Sequence, residues 1–180
     1  MQTEKEWVDQ LTNPATKREA FRQLVKTYER PLYSVIRKMV IDHELARDLM
    51  QDTFIKVWEN MDRFKAESKL YTWMYRIAVN ECLQHLAKTK RRSIVRVDYS
   101  DELAQKLEAQ ESLSGDELQL KLQKALLCLP DKQRLVFNLK YYEDMDYEQM
   151  AEITETSAGA LRASYHHAVK KIEKYLQANA

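Results

Sequence analysis

Glycine and proline are scarce. With two Gly and three Pro in 180 residues, the chain can make few tight turns. Leu, Lys, Glu, Gln and Ala fill the space instead, which is an all-helical composition. Cysteine is scarcer still. Cys82 and Cys128 stand alone, neither with a neighbouring Cys or His at zinc spacing, and His166-His167 by itself is no metal site. Both cysteines read as reduced core residues of a reducing compartment. No apolar run approaches eighteen residues, and no charged-then-apolar leader occupies Met1 to Leu24. A soluble, unexported, cytoplasmic protein is the expectation. Excess charge is lacking too: the formal net charge is +1. Any nucleic-acid binding must therefore rest on local patches.

The residues of enzyme chemistry are also missing. There is no glycine-rich phosphate loop, no metal cluster, and no Ser or Cys with a base at motif spacing. Asp48 and Asp52 lie one turn apart, but on an open helix face with no pocket implied. No catalytic residue, metal, cofactor or small-molecule substrate is expected.

What is present is concentrated in the last sixty residues. Tyr147 to Ile172 reads YEQMAEITETSAGALRASYHHAVKKI. Asp146 can cap a short helix, and Gln149 completes a capping box. Met150 and Ile153 give that helix an apolar face. Thr154-Glu155-Thr156 is a polar break. Ser157 can cap a longer helix on which Leu161, Tyr165, Ala168, Ile172 and Leu176 recur at offsets 4, 7, 11 and 15. One stripe is buried and the opposite face is free. The spacing is that of a helix–turn–helix, whose second helix enters the DNA major groove. Plain helical packing would give the same stripes, so the rest of the chain has to decide.

A first helical block runs from about Ala15 to Arg92. Phe21, Leu24, Val25, Tyr28, Leu32, Val35, Ile36 and Met39 keep helical period across Pro31, which either opens a second helix or kinks a long one. Asp42 can cap the next helix, Glu44 to Met61. Its apolar face is Leu45, Leu49, Thr53, Val57 and Met61, broadened by Phe54 and Trp58. Its other face carries Asp48, Gln51, Asp52, Lys56 and Glu59: a solvated strip, or a docking face for a basic partner. A further helix, Tyr71 to Lys88, ends in the basic run Lys88, Lys90, Arg91, Arg92, which suits phosphates. Tyr71, Trp73, Tyr75 and Arg76 crowd its start, with Asn80 one turn beyond Arg76. Rings and guanidinium can stack on unpaired bases while an amide reads their edges. Trp73 and Ile77 serve equally well as core.

Between the blocks lies an acidic stretch. From Asp98 to Glu117 there are seven acids against the single base Lys106. It reads as a mobile tether. The second block then presents Leu118, Leu122, Ala125, Leu126 and Leu129 on one helix face. Pro130 stops that helix and starts another, with Leu135, Val136, Leu139 and Tyr142 aligned. No internal repeat relates the blocks.

Three stretches in order resemble the extracytoplasmic-function (ECF) sigma factors of the bacterial sigma-70 superfamily. ARDLMQDTFIKVW (Ala46 to Trp58) is similar to the helix that grips the clamp of core RNA polymerase. LYTWMYRIAVN (Leu70 to Asn80) is similar to the helix that melts and reads the −10 element. LPDKQRLVFNLKYYEDMDYEQMAEI (Leu129 to Ile153) with SAGALRASYHHAVKKI is similar to the −35-binding domain. The resemblance implies two small helical domains, 1–92 and 117–180, joined by the acidic linker 93–116. It implies polymerase contacts at Asp48, Gln51, Asp52 and Lys56. It implies −10 contacts at Lys65, Ser68, Lys69, Trp73, Tyr75, Arg76, Asn80, Lys88, Arg91 and Arg92. It implies −35 contacts at Ser157, Arg162, Ser164, His167, Lys170 and Lys171, with Tyr165 better explained as core. The implied partners are core polymerase (clamp and flap), promoter DNA and an anti-sigma factor.

Departures from the family pattern concern charge on the reading helix. Members often carry Gly where this chain has Glu155, Thr-Val where it has Ala160-Leu161, and Arg where it has Ser164 and His167. Weaker phosphate anchoring or more shape readout follows. Two rivals remain open: a two-domain helix–turn–helix regulator that never binds core polymerase, and a helical adaptor without nucleic acid. Binding to core separates the first from a sigma factor. Salt-dependent promoter binding in the presence of polymerase excludes the second.

Overall fold

A computed structural model describes residues 3–64, 68–93, 99–111 and 117–179, and those residues are entirely helices and the turns between them. In order they form α1 (Glu4–Thr12), α2 (Lys17–Val40), α3 (His43–Asn60), a 3-10 turn (Met61–Arg63), α4 (Leu70–Ser93), α5 (Tyr99–Glu111), α6 (Glu117–Leu127), α7 (Asp131–Tyr141), α8 (Tyr147–Thr154) and α9 (Ala158–Ala178).

Local chemistry accounts for most of the boundaries. Asp42 accepts from the Leu45 N–H at 3.0 Å and starts α3. Asp146 and Gln149 form the expected reciprocal capping box on α8, and Ser157 caps α9 through the Ala160 N–H. Pro31 does not split its segment. It sits inside the single long helix α2, where its missing N–H removes one backbone bond but packing on both sides holds the helix together. One helix was not foreseen: α1, opened by a Thr3–Glu6 capping box and anchored by buried Trp7 and Leu11.

The first block packs α2, α3 and α4 around Leu24, Leu32, Ile36, Val57, Met74 and Leu86. Thr53, on the apolar face of α3, is fully buried and spends its hydroxyl on the Leu49 carbonyl at 2.7 Å. The second block has a smaller core, in which Phe137 stacks on Tyr165 at 5.7 Å and Ala125, Leu126, Leu129, Ala168 and Ile172 close around them. The expected apolar faces are largely buried. Leu118, in the first turn of α6, is the exception at 71% exposed, while Leu120 of the same turn packs on α5.

The acidic stretch holds more order than its composition suggests. Leu103 and Leu107 of α5 are buried against Ile41 and Leu127, while Lys106 pairs with Asp42 at 3.1 Å. A helix with two apolar positions one turn apart needs only a small apolar seat, and the α2–α3 corner supplies it. Ile41 makes that corner with φ 64°, a conformation that a β-branched residue adopts only under constraint. The joints 94–98 and 112–116 lie outside the described residues.

The two blocks also pack on each other. Leu135, Val136, Leu139, Met145, Met150, Ile153 and Leu161 belong to the same apolar cluster as the first block's core.

Candidate polymerase and nucleic-acid interfaces

The polar face of α3 is where the spacing places it. Asp48, Gln51, Asp52 and Glu59 are exposed. Lys56 differs, because it leans onto α4 and pairs with Glu81. Ile55 is nearly half exposed beside these charges, so the strip has an apolar point amid its acids. A groove between α2 and α3 runs along the strip, lined by Glu29, Arg47, Asp48, Gln51 and Phe54. Acidic rim groups around a partly apolar groove suit a protein surface that brings basic groups and one or two apolar side chains.

On α4 the aromatic cluster divides. Tyr75 is 1% exposed and lies against Tyr71, ring centroids 4.3 Å apart. Burial pushes its phenol far above the ordinary value. It is core here, and the expectation that it stacks on bases is corrected: it packs inward beside its i, i+4 partner Tyr71, which in turn lies against Tyr28 at 6.3 Å. Trp73 is half-buried and tilts over Phe64 at 5.1 Å, so one face of the pair reaches the surface. Asn80 is exposed and Arg76 half-exposed. Ser68 and Lys69 flank the start of α4; Lys65 lies outside the described residues. Lys88 and Arg91 are exposed on the last turns, and the side chain of Arg92 lies outside the described residues. Lys90, from the same basic run, pairs with Asp131 of α7 at 2.9 Å.

The reading helix α9 presents Arg162, His167, Lys170 and Lys171 outward. Lys171 bonds Gln133 Oε1 at 2.9 Å. Ser157 is exposed, with its Oγ committed to the cap. Tyr165 packs against Phe137, as core. Ser164 is half-buried, because it faces the first block across a cavity of about 180 Å³ that it lines with Asn80, Lys132, Thr154 and Thr156. The two expected base readers, one from each block, thus look into the same space.

Several contributors escaped the sequence reading. The Tyr147 ring lies under the Arg162 guanidinium at 5.1 Å and the Lys140 ammonium at 5.6 Å. An aromatic at the first position of α8 was the available signal. Arg134 is 3% exposed and donates to the Met39 carbonyl at 2.9 Å, while Asn138 donates to the Lys38 carbonyl at 3.4 Å. Two polar residues four apart among buried Leu and Val were the signal there. Cys82 is buried, which pushes its thiol up to about 12; Cys128 is exposed at the end of α6, which corrects the expectation that both are core. Among the described residues no group of three or more His, Cys, Asp or Glu could hold a metal ion. No described helix is long and apolar enough to cross a membrane.

Known proteins share this arrangement. The Sigma-70 region 2 family model matches residues 24–92, and the Sigma-70, region 4 model matches residues 119–172. The RNA polymerase sigma-H factor of Pseudomonas aeruginosa is 30% identical over 168 residues, spanning 88% of this chain and 86% of that protein. The ECF RNA polymerase sigma factor SigW of Bacillus subtilis is 27% identical over 88% of this chain and 90% of its own. Among solved structures, CnrH in complex with the cytosolic domain of CnrY superposes with a TM-score of 0.70 at 21% identity, covering 98% of this chain and 99% of that one. RpoE in complex with the anti-sigma factor NepR from Bartonella quintana gives 0.65 at 20% identity, covering 90% and 99%.

Proposed function

Because this chain belongs to the ECF sigma factors of the sigma-70 family and is an RNA polymerase sigma factor, we propose the following division of labour among its residues. Residues 1–92 dock on core polymerase and open the −10 element, residues 93–116 connect, and residues 117–180 read the −35 element. The observation that carries this reading is the pair of free helix faces on opposite halves of the chain: the acidic strip of α3, and the outward face of α9 after a capped helix–turn–helix.

Asp48, Gln51 and Asp52 meet the polymerase clamp, with Ile55 as an apolar contact and Lys56 acting partly through Glu81. The −10 strand meets Trp73, Arg76 and Asn80, with Lys65, Ser68 and Lys69 ahead of α4 and Lys88, Arg91 and Arg92 holding phosphates beyond it. Extruding a base costs a few kcal/mol. Stacking on a ring returns roughly 1–3 kcal/mol, so edge hydrogen bonds from Asn80 supply part of the remainder. On the −35 side Arg162 and His167 point to the groove, Ser157 and Ser164 flank it, and Lys170 and Lys171 meet the backbone. An anti-sigma factor is a further partner, since solved relatives of this fold hold such proteins. The protein acts in the cytoplasm as a non-enzymatic regulator.

The test is co-elution with bacterial core polymerase, followed by permanganate footprinting of a promoter fragment. Stable co-elution and −10 melting that Asn80→Ala slows support the reading. DNA binding without core binding favours the helix–turn–helix regulator instead.

A further inference from the structure

The helix that carries the −10 face does not start on its own residues. The first N–H groups of a helix have no partner within it and form the positive end of its dipole. Helices therefore favour Ser, Thr, Asp or Asn as the cap and an acid in the first turn. α4 has neither. The residue before it is Lys69, whose carbonyl accepts the Trp73 N–H at 3.0 Å but whose side chain has no acceptor to offer. No acid stands in the first turn. The acceptor comes from 66 residues away: the Leu70 N–H donates to Glu4 Oε1, on the first residue of α1.

α1 is anchored so that this carboxylate stays in place. The Thr3–Glu6 capping box starts the helix without help from Glu4, and Trp7 and Leu11 sink into the same apolar cluster as Met61 and Leu70. Glu4 itself is exposed, so its loss leaves no cavity. Burial pushes the Tyr28 phenol upward, and the nearby Glu4 charge adds to the shift. The Tyr28 ring lies 6.3 Å from that of Tyr71, in the first turn of α4. The contacts run on to the reading residues. The Lys69–Trp73 bond closes the first turn, and Trp73 lies over Phe64 at 5.1 Å. Phe64 is fixed in turn by its N–H on the Met61 carbonyl at 3.0 Å.

A cap supplied from α1 resolves a conflict of charge. The start of α4 favours an anion, whereas a DNA strand beside it favours cations. An Asp in place of Lys69 would serve the helix and repel phosphates. Here Lys69 is exposed and Leu70 is buried. The anion meets the helix at its buried residue, and the cation stays toward solvent.

We propose that Glu4 is a positioning residue for −10 reading. It touches no base. By capping α4 it keeps the first turn wound, and so holds Trp73 where the melted strand is met. The inference rests on the assignment of α4 to the −10 element made above.

The experiment uses the full chain as wild type, Glu4→Ala, Glu4→Gln and Asp9→Ala. Gln keeps an acceptor oxygen without the charge. Asp9 is an exposed acid on α1, so its variant controls for lost charge on that helix. Amide hydrogen exchange, followed by NMR, reads the cap in the free chain. The time course of permanganate reactivity at the −10 element, with core polymerase present, reads strand opening. Fluorescence anisotropy reads core affinity. In Glu4→Ala the Leu70 amide should exchange faster and melting should slow by about three- to tenfold. That is the cost of a lost N-cap carried into the fraction of chains with a formed first turn. Glu4→Gln should recover part of both losses, and Asp9→Ala should match wild type. Core affinity should be the same in all four. Wild-type melting in Glu4→Ala, melting and core affinity lost together, a Gln variant no better than Ala, or a control that slows equally would overturn the proposal. A wild type that binds core and leaves the −10 element unmelted refutes the assignment of α4 on which the inference stands, whatever the Leu70 amide shows.

Discussion

Reversing Asp48 and Asp52 to Lys should abolish docking on core polymerase while leaving the fold intact. Both carboxylates are exposed on the middle turns of α3, so nothing in the core depends on them. The helix itself gains as much as it loses. At position 48 a lysine falls four residues after Glu44, the favourable order for an i, i+4 pair. At position 52 it falls four before Lys56, an unfavourable pair of similar size. Each such pair is worth about 0.2–0.5 kcal/mol, and Lys is the better helix former of the two residues. Net stability should change by about 0.5 kcal/mol or less. Binding is different, because an acid that meets a basic surface at a desolvated interface costs about 2–5 kcal/mol when its pairing is lost. Even the lower figure is roughly 30-fold in affinity per position. Fluorescence anisotropy of labelled protein against core polymerase measures the loss, and circular dichroism with thermal melting measures the fold. Unchanged core affinity, or affinity lost only together with helicity, would refute the assignment of this face.

Other positions give independent checks. Arg162→Ala should cost about 1–3 kcal/mol on the preferred −35 sequence if the guanidinium reads a base edge, and equal loss on every sequence would make it a phosphate contact. Tyr147→Leu should weaken the same preference by about 0.5–1 kcal/mol by removing the ring beneath Arg162, measured by gel shift of polymerase complexes. Asp42 accepts from the Leu45 N–H, and with Lys106 beside it this holds its carboxyl below the ordinary value despite partial burial. Its folded pKa is lower than its unfolded one, so its stabilisation is present at neutral pH and fades as pH falls through the folded value. Asp42→Asn should keep the cap but flatten that acid limb, whereas Asp42→Ala should cost about 1 kcal/mol at pH 7; urea titrations at several pH values distinguish them. A thiol reagent should label Cys128 alone in the native protein and Cys82 only after unfolding.

Period and capping carried most of the fold in the sequence. α8 and α9 are bounded by the residues expected to cap them, and the stripes on α3 and α9 bury as their offsets require. α1 was missed because its apolar face is only Trp7 and Leu11, although Thr3-x-x-Glu6 announces its start. Pro31 could not be resolved from local rules, because whether a helix survives a proline depends on packing beyond it. The candidate faces were legible in proportion to their solvent exposure. Asp48, Gln51 and Asp52 have no core neighbour competing for them and appear where helical spacing puts them, whereas Arg162 lies over Tyr147 and Asn80 lines the cavity between the halves. Tyr75 was misplaced because its direction follows its packing beside Tyr71, which lies against Tyr28 over forty residues away. The exchange of helix-end contacts, Arg76 to the Glu152 carbonyl and Arg134 to the Met39 carbonyl, is a long-range pairing that periodicity does not encode. In the sequence only Arg134 and Asn138 set among apolar residues of α7, and the non-glycine after α8, mark the places where it occurs.

Run-off transcription tests the central claim most directly. Core RNA polymerase is incubated with genomic promoter fragments with and without this chain. Discrete transcripts that appear only with the chain, and vanish with the Asp48 and Asp52 reversals, are the predicted result. A chain that binds those fragments yet leaves core polymerase silent on all of them would contradict it.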